Sequence, residues 1–364
     1  MVKEQTTTGL SRELIIHPGE SLFEVLEDRE MSQKELAIRT GKTEKHISTV
    51  VNGIKPISVT FAKKLEYALG IEAEFWMNLQ SNYDKELLEF EELNNISEEE
   101  ISVLRNLKDV IECWSNLGWM KKEDNQAAKV LDLRKIMNIS NLLHIPQLAM
   151  NGAFRAQINS TKVDPYVVLT WQRMCEILTQ DIEIADEIDV DKLREKIPEI
   201  KKLMFLNVNE VPVQLERIFA ECGIAFKIVK NFRGAPVQGF IKKTEDDNLV
   251  LCMTIRNSYA DIFWFTLFHE IAHIIHGDSK NKFIDFESVS GEIESRADEF
   301  ARNTLIPLSD YNYFIAQKDF SLSAINIFAD KCGVAPYIVI GRLMKEELIA
   351  WDHYSNERIR YKWA

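Results

Sequence analysis

The chain reads as an α+β protein, mostly helical. An all-α N-terminal domain is followed by a helical bridge and a C-terminal domain with a small sheet. Three observations predict this. Residues 32–53 read as helix, tight turn, helix. Residues 84–112 are very acidic and carry Leu87, Leu88, Phe90, Leu93, Ile101, Leu104 and Leu107 at roughly helical spacing, with few Gly, Ser or Pro. Residues 225–255 hold short apolar, strand-like runs just before a long apolar helix that contains His269-Glu270-Ile271-Ala272-His273. A length of 364 residues suits two or three domains, and the expected boundaries are 1–84, 85–205 and 206–364.

In the first domain Ser32 caps a helix, and Glu35 three residues later completes a capping box. Leu36 and Ala37 point inward, and Gly41 makes the turn. Thr43 caps the second helix, Ile47, Val50 and Val51 form its buried stripe, and Asn52-Gly53 ends it. That leaves Lys42, Glu44, Lys45, His46, Ser48 and Thr49 on the exposed side. These groups could meet base edges and phosphates, with Gln33 at the start of the first helix and Thr43 at the start of the second. The whole chain carries −13, which argues against nonspecific nucleic-acid binding by its full surface. Residues 32–64 reverse the balance: seven cations against two anions, net +5. A local basic face on an acidic protein suits a sequence-selective reader, or a solvated face.

This pattern resembles the Xre-type helix-turn-helix family, and more narrowly the HigA-like antitoxins. His17-Pro-Gly-Glu before the first helix, the run from Pro56 to Leu65 after the second, and the run from Phe75 to Tyr83 all fit. The resemblance covers residues 17–84. It implies an operator in double-stranded DNA as partner, and paired half-sites would call for a homodimer. A compact helical module that binds only protein is the rival reading.

Residues 127–143 and 165–184 read as further helices, interrupted at Asn151-Gly-Ala-Phe-Arg-Ala. Residues 182–200 read as an exposed helical pair. Residues 213–222 form an amphipathic helix; 225–229, 240–242 and 248–255 form a small antiparallel sheet. Beyond Pro307, helices are expected over 322–328 and 336–348. Gly333-Val-Ala-Pro-Tyr faintly echoes a second helix-turn-helix, with packing as its expected role.

The two histidines of His269-Glu270-Ile271-Ala272-His273 are four apart, so on a helix they share a face and can grip one metal ion. Glu270 then lies where a carboxylate can take a proton from the attacking water. A tetrahedral zinc site needs a third protein ligand. Glu294 and Asp298, four apart on a second helix that ends at Pro307, supply a ligand and a carboxylate to orient a ligand histidine. Other acids rank lower without being excluded. Glu292 would face away from Asp298, Glu299 would lie on another face, and Asp278 and Asp285 fall in a polar loop. His276 reads as a supporting or pocket residue, since three ligands from one helix strain the geometry. Arg256, Tyr259, His276 and Tyr311 are candidates to stabilise the transition state.

The runs from Phe265 to His276, from Glu294 to Ala301 and Leu305-Ile-Pro resemble the ImmA/IrrE family of metallo-endopeptidases. Arg233-Gly-Ala-Pro-Val-Gln-Gly-Phe and the apolar run from Leu249 to Ile255 are similar to that family too. The resemblance covers residues 211–307 well. It implies a zincin-like domain, bound Zn²⁺, and an endopeptidase that cuts a regulatory protein, a repressor or a toxin–antitoxin component. The family often has Asn where this chain has Asp298, so here a carboxylate would hold the supporting place. Two rivals are a non-catalytic antitoxin or repressor whose peptidase-like domain only docks or senses a partner, and a free peptidase whose helical end binds substrate.

The five cysteines are scattered with no CxxC pair, which suits a reducing cytosol. Residues 1–20 lack the apolar core of a signal peptide, and no run approaches the ~18 apolar residues of a membrane span. A cytoplasmic protein without a membrane partner is expected.

Overall fold

The computed structural model describes residues 12–122, 125–151, 163–185, 187–244, 248–256, 258–278, 282–286 and 291–362. The fold is α+β and mostly helical. Two compact units divide the chain: Met1–Leu104 with Gly118–Ile136, and Arg105–Leu117 with Met137–Ala364. The segment 85–205, expected as a bridge, is shared between them.

The first unit opens with α1 (Pro18–Asp28), α2 (Gln33–Thr40), α3 (Glu44–Val51), α4 (Val59–Leu69) and α5 (Ala73–Asn94). Leu22, Leu36, Ile47, Val50, Phe61, Leu65 and Trp76 close its core. Each turn is fixed by local chemistry. Ser32, Thr43 and Ser58 accept backbone N–H groups three residues ahead, which satisfies otherwise orphaned donors. Gly41 takes φ 60, the left-handed stop that ends α2 at little steric cost. His17 caps α1 through its ring: Nδ1 accepts the N–H of Gly19 at 2.9 Å. Next come α6 (Glu98–Asn106) and α8 (Gln126–Met137), while α7 (Lys108–Asn116) between them belongs to the second unit. Arg134 on α8 grips the buried Glu100 with two bonds of 2.9 and 2.6 Å.

The second unit continues with α9 (Ile145–Asn151), α10 (Pro165–Thr179), α11 (Val190–Lys202) and α12 (Val211–Ala220). Residues 152–156 of the expected interruption lie outside the described residues. The expected helical pair over 182–200 is a single helix, α11. Its charged start is a cap, where Asp189 accepts the N–H of Lys192 at 2.8 Å, and Leu193 and Ile200 are buried rather than exposed. Four strands follow the order β1-β3-β2-β4: β1 (Ile224–Ile228), β2 (Val237–Lys243), β3 (Leu249–Met253) and β4 (Lys282–Phe286). The sheet is mixed, not antiparallel. β2 and β3 form an antiparallel pair, but β2 sits on the far side of β3, so β1 meets β3 in parallel. Asp285, expected in a loop, belongs to β4.

Helix α13 (Ala260–His276) follows β3, and fourteen of its residues are buried. A helix apolar all round belongs in a core, and here Phe263, Trp264, Leu267, Phe268, Ile271 and Ile274 join the cluster around Phe219, Phe226 and Leu251. Then come α14 (Glu292–Leu305), α15 (Leu308–Ala316), α16 (Leu322–Cys332) and α17 (Pro336–Lys345). The chain near the C-terminus holds the start of α13. Arg358 pairs with the buried Asp261 at 2.8 Å, and Tyr361 accepts from Trp264 Nε1 at 2.9 Å. Burial nonetheless keeps the Asp261 carboxyl above its usual range, against the pull of Arg358. The α16–α17 pair bends by 110°, but Tyr337, Ile338, Val339, Ile340, Leu343 and Met344 of α17 are all buried, so it serves packing. Among the described residues no single helix is long and apolar enough to cross a membrane.

Candidate functional site

α13 and α14 bring three donor atoms together. His269 Nε2 lies 3.0 Å from His273 Nε2 and 3.1 Å from Glu294 Oε2; His273 Nε2 and Glu294 Oε2 are 3.6 Å apart. This group could hold a metal ion. A tetrahedral zinc ion with bonds of about 2.0–2.1 Å places its ligands about 3.3 Å from one another, and the triangle has edges close to that. Glu292 and Glu299 are exposed and stand outside it.

The outer ring nitrogens are also engaged. His269 Nδ1 meets Asp298 Oδ1 at 2.9 Å, and His273 Nδ1 meets Asp278 Oδ2 at 3.3 Å. An Nδ1–H donated to each carboxylate leaves each Nε2 lone pair turned into the triangle. Two lone pairs and a carboxylate oxygen at such separations repel, and a cation among them removes the repulsion; the donor set therefore fits Zn²⁺. When a proton rather than a cation lies among them, burial would raise the Glu294 carboxyl, but hydrogen bonds from His269 and His273 Nε2 hold it at about 2. Its place in the first turn of α14 favours the anion further.

Glu270 is fully buried on α13. His276 does not join the triangle. Its ring stands edge-on to Phe300, centroids 5.7 Å apart, and lines an open hollow with Arg296, Glu299, Asn303 and Thr304. Tyr311 serves the core: it is 2% exposed and the Arg342 guanidinium covers its ring at 3.6 Å. Tyr259 accepts from Arg360 through its hydroxyl, and Arg256 donates to the Pro236 carbonyl at 3.1 Å. Sequence reasoning weighed Asp278 only as a rival ligand. Its position just past Gly277, the left-handed stop of α13, was the signal that it could fold back on His273. Asp278 is itself fixed by Arg296 at 2.6 Å.

In the first unit, Thr43 is the cap of α3 and accepts the N–H of His46 at 3.2 Å. Lys45 is exposed; Gln33, Lys42, Ser48 and Thr49 are half-buried. Thr49 bonds back to the His46 carbonyl at 2.8 Å, and Ser48 Oγ accepts from Asn52 at 3.2 Å. His46 turns its ring inward, edge-on to Phe61 at 5.0 Å, with Nε2 buried. Burial and the neighbouring Lys42 and Lys55 lower its pKa. Three of the seven local cations are engaged within the unit. Arg39 pairs with Glu35, Lys63 with Glu66, and Lys64 donates to the Thr40 carbonyl at 2.8 Å, at the end of α2. Lys34, Lys42, Lys45 and Lys55 make no ion pair among the described residues.

Residues 22–76 match the helix-turn-helix family HTH_3. Among solved structures, an addiction module antidote protein of the HigA family from Coxiella burnetii is 28% identical. The match covers 27% of this chain and 90% of that one, with a TM-score of 0.19. A protein from Nostoc punctiforme, described as an antidote of a plasmid maintenance system, is 31% identical over 22% of this chain and 97% of that one, with a TM-score of 0.20. No curated protein matches the chain. The family match alone, over residues 22–76, places a helix-turn-helix domain in the N-terminal unit.

Proposed function

We propose that the chain is a DNA-binding regulator joined to a zinc-dependent endopeptidase that hydrolyses a regulatory protein, a repressor or a toxin–antitoxin component. The observation that carries the peptidase reading is the triangle of His269, His273 and Glu294, supported by Asp298 and Asp278, with Glu270 buried on the same helix. Zinc held there supplies Lewis-acid chemistry toward a peptide carbonyl. Glu270 is the general base: it takes the proton of the attacking water and delivers it to the leaving amine. Asp298 and Asp278 hold both imidazoles in the tautomer that turns Nε2 inward.

The helix-turn-helix match and the four lysines without ion pairs favour operator binding through α3. Lys42, Lys45 and Lys55 supply positive charge for phosphates, and Ser48 and Thr49 stand where base edges would be read. His46, with its ring against Phe61, shapes α3 from inside.

The test is a trap. Full-length Glu270→Gln should keep zinc, since the base is not a ligand, and should co-purify with an intact partner that the native chain cleaves. An amide cannot take the proton. Cleavage of that partner by Glu270→Gln at the native rate would defeat the mechanism. Zinc binding and partner capture with no cleavage by either chain would leave a docking or sensing module.

A further inference from the structure

Gly239 lies on β2 where the strand crosses α13. A Cβ built there would stand 1.9 Å from Glu270 Oε1 and 2.2 Å from Glu270 Cδ. Real atoms do not approach so closely, so the carboxylate occupies the space a side chain would fill. The strand is placed by its own irregularity. In its pairing with β4, Val237 faces Phe286 and Gly239 faces Asp285, so Gln238 is the extra residue of a bulge. A bulge re-aims a side chain. Here Gln238 Oε1 accepts from Thr266 Oγ1 at 3.0 Å, while its carbonyl accepts the Thr254 N–H at 3.0 Å. Thr266 and Glu270 are four apart on α13 and share a face. Two consecutive residues of β2 thus meet two consecutive turns of the metal-ligand helix.

We infer that Gly239 is a positioning residue for Glu270: the bulge lays a side-chain-free step of β2 over the carboxylate and confines it to one place beside the histidines. The two flanks of this contact differ in kind. Gln238 fixes where the strand lies along α13, and Gly239 leaves the room that Glu270 fills. The catalytic consequence rests on Glu270 being the base. The coupling itself does not, because it is measured without turnover.

The experiment compares full chains bearing Gly239→Ala, Glu270→Ala and both, by zinc content and by thermal unfolding of the metal-binding unit, whose transition is identified by its upward shift with zinc. Overpacking strains a closed contact, so Gly239→Ala alone should lower Tm by about 3 °C or more. In the Glu270→Ala background the same change should cost less than about 1 °C. Glu270→Asp, one methylene shorter, should recover part of the loss in the Gly239→Ala chain, and zinc content should stay near that of the native protein throughout. Equal losses of Tm in both backgrounds, or zinc loss that Glu270→Ala does not restore, would overturn the inference. If Gly239→Ala does not fold, a folded double variant supports it and an unfolded one defeats it. An inactive native chain with intact coupling would sink the peptidase reading alone.

Discussion

Asp278 meets His273 Nδ1 at 3.3 Å from five residues further along the chain, just as Asp298 on the facing helix meets His269. Each histidine of the triangle therefore has its own carboxylate. Metal binding should show this symmetry. The native chain should hold about one Zn²⁺. His269→Ala, His273→Ala and Glu294→Ala should each lose most of it, while Glu292→Ala should not. Asp298→Ala and Asp278→Ala should each weaken affinity by roughly 10–100-fold without abolishing it. Competition with a chromophoric chelator measures all six; native affinity in Asp278→Ala would make that contact incidental.

The lysines of the N-terminal unit should separate into two classes. Lys45→Ala should weaken binding to every DNA sequence and reduce the salt slope by about one counterion. Lys64→Ala should leave the slope unchanged and destabilise the unit, because its cation serves the Thr40 carbonyl. Ser48→Ala or Thr49→Ala should alter preference at one base pair by about 1–3 kcal/mol. Mobility shifts over operator fragments at two salt concentrations decide this; a slope lowered equally by both lysine changes would refute the division.

His17 should make the first unit acid-sensitive. Burial lowers its pKa from the usual 6.5, with Asp84 and Glu20 pulling weakly the other way. Its neutral Nδ1 is needed to accept from Gly19. A base with a depressed pKa in the folded state contributes stability that is full above about 6.5 and is lost as pH falls through the folded value. His17→Asn keeps an acceptor that does not titrate, so the fall in Tm between pH 7.5 and pH 5 should be smaller than in the native chain. An identical fall in both would show that other groups set the acid limit.

Arg358 should matter far more than a surface cation. It is 6% exposed against the 9% of Asp261. Removing one partner of a buried pair strands the other, at a cost of about 3–5 kcal/mol. Arg358→Ala should therefore destabilise the second unit strongly, and Asp261→Asn with Arg358→Met should recover much of the loss. Chemical denaturation of the three chains measures it; a small effect of Arg358→Ala would mean that water reaches Asp261.

What could be read from the sequence was local. Ser32, Gly41 and Thr43 announce their turns because caps and left-handed stops act within a few residues, and the i, i+4 histidines needed only a helix. What could not be read depended on distant chain. Strands β1, β2 and β3 follow one another like a meander, and nothing in their residues says that β2 sits beyond β3. The tightness at Gly239 exists only once the bulge has set β2 over α13. His46 looked outward by spacing, yet Phe61 from α4 gives its ring a better place inside.

Ser321 and Gly333 do for α16 what Ser32 and Gly41 do for α2: a hydroxyl cap at one end, a left-handed residue at φ 63 at the other. The turn is the same grammar, but the helix after it has no vacant face. A scan for the motif alone would credit the chain with two reading heads. The apolar residues from Tyr337 to Met344 turn the second into an angle bracket of the core. Exposing it would require the surrounding unit to come apart, so any DNA footprint of the intact protein should be that of one head per chain.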